Sequence, residues 1–411
     1  MTGPVAGSRD SHPIVFLFLI LPFGIMSGYL TVTVAYLLTQ AGVNSEQVAG
    51  LIALSYIPHT WKFLWAPAVD TTLHRKTWYL LASSISMAGV LATGIVPATA
   101  QSLPLLTVVV LTANVAVTFL AMSVESLMAY GTSDTEKGRA GGWFQAGNLG
   151  GLGVGGGAGL WLAQHFPAAW MAGATLATAG MLCSFALLFI PEPPAAHRDG
   201  RYLASLIGVL KDLWAIARSR FGFLALLICF LPIGSGAASN LWAALAGDWR
   251  ATADTVALVN GVFGGVVSAF GCIAGGYLCD RMNRKTAYCL YGLLQALCAV
   301  AMAMAPRTES MYIVFTMAYW FITGLTYAAF SAVVLEAIGH GAAATKYSVF
   351  ASLSNMPIGY MTYVDGWAHA KWGAGGMLYN EAAICVAGLL VFIAVAAGLW
   401  KRRVRESPVR R

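Results

Sequence analysis

Charge is what this sequence has least of. Of 411 residues, 24 are Lys or Arg and 17 are Asp or Glu, 10% of the chain, where a soluble domain carries roughly a quarter. The shortage excludes a disordered chain, a nucleic-acid-binding surface and an ordinary soluble enzyme. Cysteine chemistry is missing too. The seven cysteines, at 183, 229, 272, 279, 289, 298 and 385, lie in or beside apolar runs with no CxxC pair. They read as small buried hydrophobes, not as a disulfide framework or a metal centre. The seven His form no HExxH and no Ser/His/Asp arrangement, so no catalytic or metal-ligating set and no cofactor is expected. Gly151-Leu152-Gly153-Val154-Gly155-Gly156 matches G-x-G-x-x-G literally, but no strand precedes it and it lies inside an apolar run, so it is not a nucleotide loop. Met1–Ser11 has neither the basic stretch nor the small-residue cleavage site of a removable signal peptide, and the apolar run after it is too long to be one.

What the chain has instead is apolar surface: 58% hydrophobic residues and a mean hydropathy of +0.70. A bilayer-spanning helix takes roughly 20 apolar residues, so the supply covers about a dozen spans. Apolar runs fall near 12–39, 46–69, 77–97, 103–129, 139–163 and 168–190, then near 221–246, 254–279, 286–305, 310–337, 343–370 and 377–400. The expected organisation is a six-helix bundle over 1–190, a cytoplasmic linker over 191–220, a second bundle over 221–400 and a basic tail over 401–411. In the linker, Tyr202, Leu203, Leu206, Leu210, Leu213, Trp214 and Ala217 recur at helical spacing around Lys211, Asp212 and Arg218, the pattern of an amphipathic helix on a membrane surface. With a cytoplasmic N-terminus, twenty Lys and Arg fall on inner segments and only Arg250, Arg307 and Lys371 on outer loops. That bias puts both termini in the cytoplasm, and the basic balance follows from topology.

The two sets repeat each other. Leu21-Pro22-Phe23-Gly24 matches Leu231-Pro232-Ile233-Gly234, and each Pro is followed forty-eight residues later by an Asp, Asp70 and Asp280. Arg75-Lys76-Thr77 follows the first Asp and Arg284-Lys285-Thr286 the second, while Arg139 to Asn148 and Lys346 to Asn355 share one interval. Parallel repeats of six helices place a solute site between the halves, near the bilayer midplane.

Gly275-Gly276-Tyr277-Leu278-Cys279-Asp280-Arg281-Met282-Asn283-Arg284-Lys285 resembles the GxLxDRxxRK loop motif of the major facilitator superfamily. The resemblance implies that Asp280, Arg281 and Arg284 stabilise one access state; the loop at Asp70 and Arg75 keeps the Asp without the glycines. Pro58-His59-Thr60-Trp61-Lys62-Phe63-Leu64-Trp65-Ala66-Pro67-Ala68-Val69-Asp70 resembles the P-x-x-x-KFLWAP-x-x-D segment of the AmpG-like branch, which includes muropeptide permeases, acetyl-CoA transporters and some siderophore importers. Gly147-Asn148-Leu149-Gly150-Gly151 resembles a pattern in the shorter siderophore importers. The expected span count stops at twelve, without the extra C-terminal helices of some muropeptide permeases. The resemblance implies an all-α membrane protein of the major facilitator fold, with 12 transmembrane helices as two pseudo-symmetric six-helix bundles.

Lys62 is the basic residue deepest inside a span, about 12 Å from Asp70 at 1.5 Å per residue. At that depth a charge costs roughly 2.5–3.5 kcal/mol, so Lys62 either meets an anionic solute group or a carboxylate, or snorkels to the interface. Glu125 and Glu336 lie in repeat-related helices; each suits a proton-coupling site or an ion pair with Arg139, Lys62 or Lys346. Asp365 is a third coupling candidate, and Glu381 reads as an interfacial residue at a helix start. Tyr29, Asn114, Gln145, Asn148, Asn240 and Asn355 are candidate solute contacts, with interhelical hydrogen bonding as the plainer reading. The glycines of 147–159 read as a close-packing surface, and no Pro interrupts them as in some drug exporters. Together these features imply a monomeric secondary transporter of the bacterial inner membrane. It would import an amphiphilic, partly anionic small-molecule solute, such as a siderophore or muropeptide, with protons. Its other partners are membrane lipids. Efflux of amphiphilic compounds is the alternative, and a non-transporting membrane protein a further one.

Overall fold

In lipid, backbone N–H and C=O groups find partners only within the chain, so long apolar runs fold as helices. The computed structural model describes residues 12–193, 202–339 and 342–406, and among them every regular element is helical. The first half holds α1 (Val15–Gln40), α2 (Ser45–Trp61), α3 (Arg75–Ile95), α4 (Leu103–Gly131), α5 (residues 137–165) and α6 (Ala169–Phe189). α7 (Tyr202–Arg218) leads to α8 (Arg220–Phe230), α9 (Asp254–Cys279), α10 (Arg284–Met304) and α11 (Glu309–Ile338). Gly373, at φ 69, divides the last helical run into α12 (343–372) and α13 (374–406). Among the described residues, eight helices are long and apolar enough to cross a membrane, or nine if the bent 210–230 pair is one span. The chain is a multi-pass membrane protein. Residues 194–201 of the expected linker and 407–411 of the basic tail lie outside the described residues.

Two breaks shape the centre. After Trp61 the chain tightens into a single turn, Lys62–Leu64, and restarts as a short helix, Ala66–Thr71. Pro67 enters that helix in its first turn, where its missing N–H is no loss, so the break falls at Lys62. The second break departs from the expected continuous run over 221–246. Leu21-Pro22-Phe23-Gly24 stays helical inside α1, whereas its repeat at Leu231 ends α8. Gly234 and Gly236 take φ 63 and 73, a left-handed region open to glycine; the position equivalent to Gly236 is Met26. The chain resumes as short turns, Ala237–Leu241 and Ala246–Trp249.

The glycines of α5 let it touch both halves. A Cβ at Gly155 would stand 2.0 Å from the Ile25 carbonyl of α1, and one at Gly24 2.2 Å from the Asn148 carbonyl. On the other face, a Cβ at Gly142 would stand 2.6 Å from the Cys272 carbonyl of α9. These contacts are backbone on backbone, and only glycine permits them. The G-x-G-x-x-G string is part of this seam. α7 meets α8 at 95°, where Ser219 Oγ accepts the Gly222 N–H at 3.0 Å. Ile207, Leu210 and Trp214 of α7 are exposed, as on a helix lying along a membrane surface.

Candidate functional site

At the end of the bundle that carries the basic loops, two carboxylates tie the halves together. Asp70, closing the Ala66–Thr71 helix, accepts the Ala344 and Thr345 N–H groups at 3.3 and 2.9 Å and the Thr345 hydroxyl at 2.7 Å. Asp280, at the end of α9, accepts the Gly138 and Arg139 N–H groups at 2.7 and 3.0 Å and Arg139 Nε at 3.0 Å. Each anion thus caps a helix of the opposite half, α12 or α5, where unsatisfied N–H groups and the helix dipole favour negative charge. The repeat seen in the sequence is a repeated fastening. Arg284 donates to the Asp134 carbonyl and lies 3.6 Å from Glu336. Arg75 is buried with its guanidinium 5.3 Å over Tyr130, and its backbone N–H donates to Glu192 Oε1 at 2.8 Å. Arg281 is exposed.

Beyond this fastening lies a cavity of about 160 Å³ lined from both halves, with His59, Lys62, Glu125, Gln145, Asn148 and Asn355 among its walls. Lys62 Nζ donates to Glu125 Oε1 at 2.6 Å, and both side chains are buried. Ser348 of α12 reaches the second oxygen of Glu125 at 3.5 Å, so the pair of one half is contacted by the other. Beside it, Asn148 donates to Gln145 at 3.0 Å and Gln145 to Ser331 at 2.9 Å. Ser331 and the Tyr347 hydroxyl are 2.8 Å apart. This chain of hydrogen bonds runs from α5 across to α11 and α12. His59 Nε2 is 2.9 Å from Asn114 Oδ1, while Asn114 donates to Val110 O at 2.8 Å.

Other candidates lie elsewhere. Tyr29 is buried in the first half against Gly94 and Gly173, not in the cavity wall, because α1 turns that face to α3 and α6. Asn240 is exposed and donates to Thr362 at 2.9 Å. Glu336 stands in the loop fastening with Arg284, a partner not among those expected for it. The reason is position: it lies one turn nearer the basic end than the repeat equivalent of Glu125. Asp365 is fully buried in the second half, where Asn380 donates to it at 3.2 Å. Glu381 is buried and accepts the Tyr319 hydroxyl, which corrects its reading as interfacial. Sequence reasoning did not reach Thr345, Ser348, Ser331 or Tyr347; the Arg139/Lys346 and Asn148/Asn355 repeat was the signal for α12. Among the described residues no His, Cys, Asp and Glu group is arranged to hold a metal.

The Major Facilitator Superfamily profile matches residues 14–362. The anhydromuropeptide permease of Escherichia coli (strain K12) is 24% identical over 406 residues, covering 95% of this chain and 80% of that protein. Among solved structures, the human organic anion transporter MFSD10 aligns with a TM-score of 0.69 at 16% identity, over 93% of this chain and 99% of that one. The Escherichia coli fucose:proton symporter FucP gives 0.69 at 15% identity over 93% and 98%. FucP in an outward conformation gives 0.68 at 17% identity, also over 93% and 98%.

Proposed function

The chain belongs to the Major Facilitator Superfamily, and from that premise we propose that it is a proton-coupled importer of an amphiphilic, partly anionic solute. A muropeptide or a siderophore is the solute class in view. The relative named as an anhydromuropeptide permease favours the first of these.

The observation that carries the reading is the buried Lys62–Glu125 pair, 2.6 Å long, in the wall of a cavity between the halves. A solute carboxylate that takes over Lys62 leaves Glu125 without its counter-charge. An uncompensated buried carboxylate is costly and takes up a proton instead. Solute and proton therefore bind together, and the Ser348 contact passes the change to α12. Asn148, Gln145 and Asn355 supply neutral hydrogen bonds to the rest of the solute.

In this reading the chain crosses the membrane twelve times: α2 with its continuation, α5 and broken α8 add to the longer spans, and α12 and α13 count separately. The two halves form pseudo-symmetric six-helix bundles. Both termini and the basic loops face the cytoplasm of a bacterial inner membrane, and the monomer is the working unit. The Asp70 and Asp280 fastenings then close the cytoplasmic side, an outward-facing state, and their release opens it. The cavity of about 160 Å³ is below the roughly 300–1,000 Å³ of ligand pockets, so the halves part further to admit solute.

Uptake of a labelled anhydromuropeptide into proteoliposomes tests this. Accumulation should require an inward proton gradient and be lost in Lys62→Ala. Uptake indifferent to the gradient removes the coupling, and no uptake of either solute class removes the substrate assignment.

A further inference from the structure

The second half holds another pair of buried carboxylates, on α12 and α13. Asp365 is 0% exposed and Glu381 4%. Asp365 Oδ1 accepts from Asn380 at 3.2 Å; Glu381 Oε1 accepts the Tyr319 hydroxyl, and the Ala238 amide beyond the α8 break lies against it. The remaining oxygens, Asp365 Oδ2 and Glu381 Oε2, are buried and meet no donor among the described residues. Neither carboxylate has a Lys or Arg partner there. Charged and titratable groups on the surrounding elements are engaged elsewhere. Arg307 stacks 3.8 Å over Trp249, His369 is 3.9 Å from Asp248, Cys385 bonds Gly292 O at 3.4 Å and Cys298 approaches Phe315 O at 3.7 Å.

Two buried carboxylates that share one low-dielectric site without a cation resist being ionised together, so one of them keeps a proton that leaves only with difficulty. We propose that Asp365 and Glu381 together hold one exchangeable proton, a binding site inside the second half that is separate from the Lys62–Glu125 pair. A proton needs only the two unpartnered carboxylate oxygens. Hard metal cations gather roughly six or more oxygens, and the unpartnered oxygens here are these two and Oε1 of nearby buried Gln295. Gln295 donates to Thr323 at 2.9 Å, one turn along α11 from Tyr319. The site also has an outlet: Ala238 follows the Gly234–Gly236 break, whose Leu231, Gly234 and Ser235 line the cavity. Losing the proton puts a second negative charge beside the Ala238 N–H, which strengthens that contact and holds the break more tightly against α13. This consequence for transport rests on the importer reading; the proton site itself does not.

The test needs no solute. The full-length protein in lipid is perfused between acid and alkaline buffers, in H₂O and D₂O, and infrared difference spectra of the protonated-carboxyl C=O band are recorded. The band should persist in Glu125→Gln, be lost in Glu381→Gln and Asp365→Asn, and ignore sodium at fixed pH. Tyr319→Phe leaves both carboxyls in place and removes a donor to the ionised form. Its midpoint should move to higher pH by roughly one unit, tenfold in proton affinity. A band unchanged in Glu381→Gln and Asp365→Asn, a band removed by sodium, or an unmoved midpoint in Tyr319→Phe each overturns the proposal.

Discussion

Removing Lys62 alone should hurt this protein more than removing Lys62 and Glu125 together. In Lys62→Met the methylene stem is kept, but the Glu125 carboxylate, 2.6 Å from the ammonium in the native pair, is left buried beside Ser348 with no cation. Stripping one partner from a buried ion pair costs roughly 3–5 kcal/mol, whereas replacing both with neutral groups of similar volume is close to neutral. At about 2–4 °C per kcal/mol for a cooperative unit of 150–250 residues, the size of each half, the single change should lower the unfolding midpoint by about 6–20 °C. Lys62→Met/Glu125→Gln should recover most of that loss. Thermal unfolding of the purified protein in detergent, followed by intrinsic tryptophan fluorescence, reads both values. If the double variant falls as far as the single one, or the two losses simply add, the residues are not energetically paired and the cavity account loses its basis.

Asp70→Ala and Asp280→Ala each remove a helix cap across the halves, worth about 0.5–2 kcal/mol. A membrane-impermeant maleimide applied from the basic side should label a cysteine placed at Ser348 about 2- to 30-fold faster in either variant. An unchanged rate shows that the caps do not hold this end closed. Gly142→Val pushes a side chain into the Cys272 carbonyl and should cost at least about 1–3 kcal/mol, seen as a lower unfolding midpoint. Gly150→Ala is the control: its Cβ would meet only the Ala269 side chain, at 3.3 Å. Gly236→Ala forces an L-residue into a left-handed conformation and should cost about 1–2 kcal/mol in the same assay, while Gly359→Ala, with open space around it, should cost far less.

Features that depend on spacing along the chain were legible beforehand. The Pro-to-Asp interval marked Asp70 and Asp280, and the glycine run of α5 marked a close contact, because both follow from local periodicity and covalent order. Features that depend on which way a helix is turned were not. In lipid a helix is apolar on all sides, so hydrophobic patterning cannot say that Tyr29 points into the first half and Asn148 into the cavity. Pairing over distance was equally hidden: Lys62 and Glu125 are sixty-three residues apart, and three partners were equally open to Glu125. Glu336 shows how coarse a repeat relation is. Its repeat relation to Glu125 was sound to within a turn, yet that turn moves it from the cavity to the loop fastening. The α8 break was written in Gly236, but a lone glycine in an apolar run reads as packing until its φ is known.

Midway along the seam between α5 and α9, at Gly142 and Gly153, backbone meets backbone with few knobs to disengage. Where polypeptide lies directly against polypeptide, rotation about the contact line disturbs no rotamer and opens no void, so that flank suits a fulcrum. The basic end, where Asp70 grips the first turn of α12 and Asp280 that of α5, is held instead by a handful of polar bonds that break cleanly. A molecule assembled this way would swing like a book on its spine, and its passenger would slip in along the fore-edge.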